Sequence, residues 1–235
     1  MRLNTFIARS GVCSRRKADC LIKEGKVRVN NKIIREPWYN VKSNDRVEID
    51  NSLITPKNFV YMIFYKPKGV ITTLKDRFAS RTIRDYLPSY LKGIYPVGRL
   101  DKNSQGLLIL TNDGNLCYRI SHPRFRVEKE YEVEVKGNVS LNDIKQAKEG
   151  FLESNELLKV DRISIEKRNK DTTRLRVVTH QGKKRQIRRI FMHLGFKVIY
   201  LKRIRVANLL LGNLKPGEFR ILKKEEVAKK VGVDI

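Results

Sequence analysis

Asp101 stands between two cations, Arg99 and Lys102, just ahead of the apolar run Leu107-Leu108-Ile109-Leu110. Glycines Gly98 and Gly106 bracket the turn, and Asn112-Asp113-Gly114 closes the run with another. A carboxylate at the mouth of a core strand and between cations is a candidate for a poised catalytic group. The bland alternative is a turn aspartate that accepts backbone hydrogen bonds. A second candidate is Tyr131, in Lys129-Glu130-Tyr131-Glu132-Val133-Glu134-Val135. Alternation puts Lys129, Tyr131, Val133 and Val135 on one strand face. On pattern alone a tyrosine there reads as core, although its ring is aromatic and its hydroxyl a weak acid. The third candidate is Gly182-Lys183-Lys184-Arg185-Gln186-Ile187-Arg188-Arg189-Ile190-Phe191. Here Ile187, Ile190 and Phe191 form the buried side of a helix, and Arg185, Arg188 and Arg189 are cationic. Alone, a basic helix means contact with phosphates and no more.

Other chemistries lack residues to carry them. Cys13, Cys20 and Cys117 have the spacing of neither a zinc site nor a disulfide framework, and they read as reduced thiols of a cytosolic protein. His122, His180 and His193 are scattered, without acidic or thiol partners at ligand spacing. No phosphate-cradling or dinucleotide-binding glycine fingerprint is present. Neither a metal nor a bound cofactor is expected.

The elements that must position these residues follow from periodicity and breakers. Residues 1–9 and 15–24 read as two helices, the second capped by Ser14 and ended by Gly25. A hairpin follows around Asn30-Asn31, then a half-exposed strand at Val47 and Ile49. Pro56-Lys57-Asn58 is the expected linker between a domain of residues 1–57 and one of residues 60–235. Residues 60–65 and 70–73 read as strands on either side of the Lys66-Pro67-Lys68-Gly69 turn, and residues 82–87 as a short helix stopped by Pro88. Past the Asp101 turn, helices are expected at 116–121 and 141–149. Strands are expected at 158–165, 175–178, 198–201, 204–206 and 209–211, with a polar loop or hairpin tip at 166–173. Residues 219–222 and a helix at 225–231 end the chain.

These stretches resemble the pseudouridine synthases of the RsuA type, which isomerise uridine in ribosomal RNA. That family carries Gly-Arg-Leu-Asp, two variable residues, Thr or Ser, one residue, Gly-Leu-Leu and then a Thr-Asn-Asp-Gly turn. Asp101 matches the family nucleophile, and Ser104 takes the position where Thr is common. Lys129 and Tyr131 match a Lys-x-Tyr element whose ring packs on the target base with its hydroxyl near C5. Arg188 aligns with the arginine that pairs with the catalytic carboxylate. Two departures stand out: Lys184 replaces a small residue or Asn, and Ala207 replaces a glycine. Residues 3–11, 14–18, 25–30 and 45–47 resemble the small RNA-binding domain named after ribosomal protein S4. The resemblance implies RNA contacts at Arg9, Ser14, Arg15, Arg16, Lys17, Lys26 and Arg28. In the catalytic part, RNA contacts are expected at Arg77, Arg99, Lys129, Arg185 and Arg189. The implied fold is α+β: an S4-like helix-and-hairpin domain, then a mixed, largely antiparallel sheet with flanking helices.

Charge agrees with a polyanionic partner. The 235 residues hold 51 Lys or Arg against 25 Asp or Glu, a net charge of +26. No apolar run approaches a membrane span, and no secretory leader is evident. The expected partner is ribosomal RNA or a ribosomal assembly intermediate, met by a cytoplasmic monomer. The start Ser14-Arg15-Arg16 and the length of the first unit lean toward a large-subunit target. Small-subunit RNA is the alternative within the family. A non-catalytic RNA-binding assembly factor would share the charge and the first domain, but would have no use for Asp101, Tyr131 and Arg188 together.

Overall fold

The computed structural model describes all residues except 77, 79, 92 and 233–235. Arg77, expected to reach RNA, therefore lies outside the described residues. Packing divides the chain into two units: Met1–Val60 with Pro88–Tyr95, and Tyr61–Leu87 with Pro96–Ile235. The first boundary falls close to the expected linker. The return of Pro88–Tyr95 to the first unit differs from the expected division, and it brings two glycines together. A Cβ on Gly93, whose φ is +84°, would lie 3.0 Å from the Gly11 Cα, so glycine at both positions eases this close backbone approach.

In the first unit, α1 (Leu3–Ser10) ends at Gly11, whose φ is 80°. α2 (Arg15–Lys23) begins where the Ser14 hydroxyl accepts from Lys17 N at 3.3 Å. Four short strands follow: β1 (Val27–Val29), β2 (Lys32–Ile33), β3 (Val47–Ile49) and β4 (Ser52–Ile54). They form an antiparallel sheet in the order β2-β1-β3-β4. Asn30-Asn31 and Asp50-Asn51 make the two tight turns, all four at positive φ, a conformation Asn and Asp tolerate better than most. The second hairpin, and so β4, is an addition to the expected elements. Leu3, Ile7, Ala18, Ile22, Val27 and Val47 are fully buried between helices and sheet.

The second unit is built on one large sheet. Its strands are β5 (Tyr61–Lys66), β7 (Gln105–Thr111), β8 (Lys129–Lys136), β11 (Arg162–Arg168), β12 (Thr172–Thr179), β13 (Lys197–Val206), β14 (Leu209–Leu210) and β15 (Phe219–Leu222). Two-residue β6 (Tyr95–Pro96) precedes the Asp101 turn, and β9 (Phe151–Glu153) with β10 (Glu156–Leu158) forms a separate hairpin. The main order is β11-β12-β8-β13-β7-β5-β15. Its neighbours run antiparallel, except that β13 and β7 are parallel. Two cores flank that junction. One joins β5 and β7 to α3 (Gly114–Ser121) and α6 (Lys224–Val231); the other joins β8, β12 and β13 to α4 (Leu141–Glu149) and α5 (Gln186–His193). The fold is α+β, as expected.

Several boundaries differ from expectation. Residues 70–73 are not a strand: Ile71 makes a single bridge to Thr82, and Thr72 turns its hydroxyl to the Leu100 backbone. The helix at 82–87 is one 3-10 turn, Ile83–Tyr86. Expected strand 158–165 divides into β10 and β11, while 198–206 is one strand with bulges. The polar tract 166–173 is mostly strand, because the β11–β12 hairpin runs on to Arg168 and Thr172.

Candidate active site

Asp101 and Tyr131 come together where β7, β8 and β13 meet, whereas Arg188 does not line their cleft. A cleft of about 580 Å³ is lined by Asp101, Ser104, Lys129, Tyr131, Arg185 and Arg203, with Arg99 on its wall. β8 places its residues by alternation. Glu130, Glu132 and Glu134 take one face and pair there with Arg176 and Arg205, Lys202, and Arg174 respectively. Lys129 and Tyr131 take the other, in line with buried Val133 and Val135.

The Asp101 turn is gripped through its backbone. Fully buried Lys66, the last residue of β5, donates from Nζ to the carbonyls of Pro67 at 3.0 Å and Ser104 at 2.7 Å. Thr72 Oγ1 donates to Leu100 O at 2.7 Å and accepts from Leu100 N at 3.2 Å. Gly69 N donates to Lys102 O at 2.8 Å. Arg188 donates to Asn103 O at 2.9 Å and to Val198 O at 3.1 Å. Among the described residues, no hydrogen bond or ion pair engages the Asp101 carboxylate. Its turn is fixed while its oxygens stay available, as a nucleophile requires. Burial pulls the Lys66 ammonium down to about 8, an effect that Asp101 opposes and Arg203 reinforces.

Gly106 lets the two halves of the cleft join. Its φ is +103°, and a Cβ there would lie 2.2 Å from Arg203 O. Any larger residue would push β13 off β7, so the glycine of the Gly-Leu-Leu motif is a steric requirement.

Several expected contacts take other forms. Arg188 makes no ion pair with Asp101 among the described residues; it feels that charge at a distance and holds the turn through Asn103. Burial lowers its pKa, Arg185 adds to the drop, and Asp101 opposes it. Arg189 does not face outward for phosphate, because Glu153 and Glu156 pair with it. Lys129 Nζ is taken up by the carbonyls of Val127 at 2.9 Å and His180 at 3.0 Å. Burial, then Arg203, lowers its pKa to about 8 against the pull of Asp161. His180 is itself fixed by Asp161 at 2.7 Å.

In the first unit, Ser14 serves as a helix cap. Lys26 pairs with Glu24 at 2.9 Å, Arg28 donates to Asn51, and Arg9 lies over the Phe59 ring at 4.2 Å. Arg15, Arg16 and Lys17 are exposed on α2, Arg185 opens α5, and Arg99 is exposed.

Two residues of the site were not singled out from sequence, Lys66 and Arg203. For Lys66 the available signal was a cation ending a run of otherwise apolar residues; Arg203, one of several cations in its strand, carried no such signal.

Residues 60–193 match the model of the RNA pseudouridylate synthase family, and residues 1–47 match the S4 domain. The chain belongs to the RNA pseudouridine synthase family and is an isomerase of uridine in RNA. It is 38% identical over 231 residues to ribosomal large subunit pseudouridine synthase B of Bacillus subtilis, covering 97% of this chain and 94% of that one. It is 37% identical to an uncharacterized RNA pseudouridine synthase of Aquifex aeolicus, with the same coverages. A solved pseudouridylate synthase superposes with a TM-score of 0.68 at 27% identity, over 98% of this chain and 99% of that one. Among the described residues, no helix is long and apolar enough to cross a membrane.

Proposed function

We propose that this chain converts a specific uridine of large-subunit ribosomal RNA to pseudouridine, with Asp101 as nucleophile. The observation that carries the chemistry is a backbone-clamped Asp101 with a free carboxylate, in one cleft with Tyr131. The reaction breaks the N1–C1′ bond and joins C1′ to C5; the C5 proton leaves and N1 gains one. Electrons and atoms balance without an oxidant or an energy source. Tyr131 stacks on the uracil, and its hydroxyl assists removal of the C5 proton. Arg188 and Lys66 are positioning residues that hold the turn. The target must leave its stack to reach the cleft, and the exposed cations of α2 hold neighbouring phosphates.

The large-subunit assignment is supported by the similarity to the Bacillus subtilis enzyme. We place the protein in the cytoplasm as a monomer acting on ribosomal RNA or an assembly intermediate. Mapping pseudouridines in the ribosomal RNA of a strain lacking this chain tests the reading. One large-subunit pseudouridine should disappear and return on complementation. Loss of a small-subunit position instead would reassign the target, and no loss anywhere in ribosomal RNA would refute the proposal.

A further inference from the structure

Arg203 is only 5% exposed and lies on the cleft wall, with no assigned part in the chemistry. Its Nε donates to Leu107 O at 2.7 Å. Among the described residues, no other acceptor and no carboxylate engages the guanidinium. A buried cation without an anion is costly, so the site is built for something that brings negative charge. The surroundings sharpen this. Lys66 and Lys129 are also cations at this junction; burial lowers the pKa of both, and Arg203 adds to the drop.

Position identifies the ligand group. Arg203 and Tyr131 are direct partners across the β13–β8 register, so their side chains share one face of the sheet and line one cleft. The backbone of Arg203 is seated against Gly106, five residues after Asp101. One residue thus links the strand of the nucleophile to the strand of the stacking ring. A uracil packed on Tyr131 would lie beside this guanidinium. When the N1–C1′ bond breaks, its electron pair passes to the ring and spreads over N1, O2 and O4.

We propose that Arg203 is a catalytic residue that donates hydrogen bonds to the detached uracil anion and stabilises it until C5 bonds to C1′. This rests on the isomerase reading with Asp101 as nucleophile. Fixed donors in a water-poor site favour the charge-bearing state over the neutral ground state, so the contact raises turnover more than affinity.

The test compares Arg203→Met, Arg203→Gln and Arg203→Lys with the parent on one target RNA, carrying either uridine or 5-fluorouridine at the target position. Single-turnover cleavage of the N1–C1′ bond is followed at saturating RNA, and RNA affinity and thermal unfolding are measured alongside. Fluorine stabilises the uracil anion by itself, so it should partly replace the arginine. Arg203→Met should lose about 100-fold with uridine, the scale for removing one such donor. The loss should be much smaller with 5-fluorouridine, affinity should hold, and Arg203→Lys should be intermediate. Should Arg203→Met not fold, Arg203→Gln supplies the same comparison. Equal losses on both substrates would overturn the proposal and leave Arg203 a structural link. A loss confined to RNA affinity would also overturn it, making the residue a phosphate contact. A parent inactive on uridine would instead reject the isomerase reading, and this proposal with it.

Discussion

Arg188 spans two backbone carbonyls, Asn103 O on the Asp101 turn and Val198 O on β13, with two nitrogens of one planar fork. A lysine gathers its donors on one nitrogen and lacks the planar fork whose two separated nitrogens reach these carbonyls. Arg188→Lys should therefore lower the single-turnover rate by about 100-fold, the scale of a small misplacement of a reacting group, with RNA affinity little changed. Recovery of the parental rate at saturating RNA would mean that Arg188 only contacts phosphate. At this scale, what sequence could reveal was chemical type within a pattern. Pattern alone could place Asp101 before its apolar run and Tyr131 on an alternating strand, and both line the cleft, but their proposed roles came from the resemblance. The partners of Arg188 and Arg189 were not, because both are cations on one basic helix. Only tertiary packing brings Asn103 to one and Glu153 and Glu156 to the other. Arg203 was hidden for the same reason, as one of several cations in a basic strand.

Lys66 shows how an element carries a site. β5 ends by burying its amine beneath the Asp101 turn, where Pro67 and Ser104 supply carbonyls. Lys66→Met keeps the bulk but leaves those carbonyls unpaired, at about 1–3 kcal/mol for each group that stays dry. The pH dependence has a definite sign. Folding lowers this pKa from 10.5 to about 8, so between those values the unfolded chain holds more protons than the folded one. Stability from this residue therefore rises with pH across that window. Denaturant unfolding at pH 7.5 and 9.5 should show the parent's advantage over Lys66→Met widening at the higher pH. An advantage that stays flat or shrinks would contradict the buried-ammonium account. Elements with local signals were legible: capped α2 and α4, and the Asn30-Asn31 hairpin. Residues 70–73 look like a strand because Val70, Ile71 and Thr72 are β-branched. Yet a strand needs a partner along its length, and only Ile71 finds one.

The whole molecule is a strongly cationic body, and its charge is spread over both units. Residues 1–57 hold 13 Lys or Arg and 6 Asp or Glu, a net +7 that leaves +19 for the rest. Counterion release makes RNA affinity fall with salt in proportion to the phosphates neutralised. Replacing exposed Arg15, Arg16 and Lys17 together with Gln should weaken RNA binding and reduce its log–log salt slope by up to about 2 for single-stranded contacts. Conversion at saturating RNA should persist. An unchanged slope would remove α2 from the phosphate contacts. The composition disclosed the polyanionic partner, and the motif order disclosed the family. The return of Pro88–Tyr95 to the first unit was invisible, since it depends on a backbone contact between Gly93 and Gly11, far apart in sequence. The central claim is that Asp101 does the chemistry on RNA held by the rest of the protein. Its most direct test is single-turnover conversion of target ribosomal RNA by Asp101→Asn, with RNA affinity measured on the same preparation. The amide keeps the shape and loses the nucleophile, so parental binding with no detectable pseudouridine is expected. Substantial pseudouridine formed by pure Asp101→Asn would contradict the account.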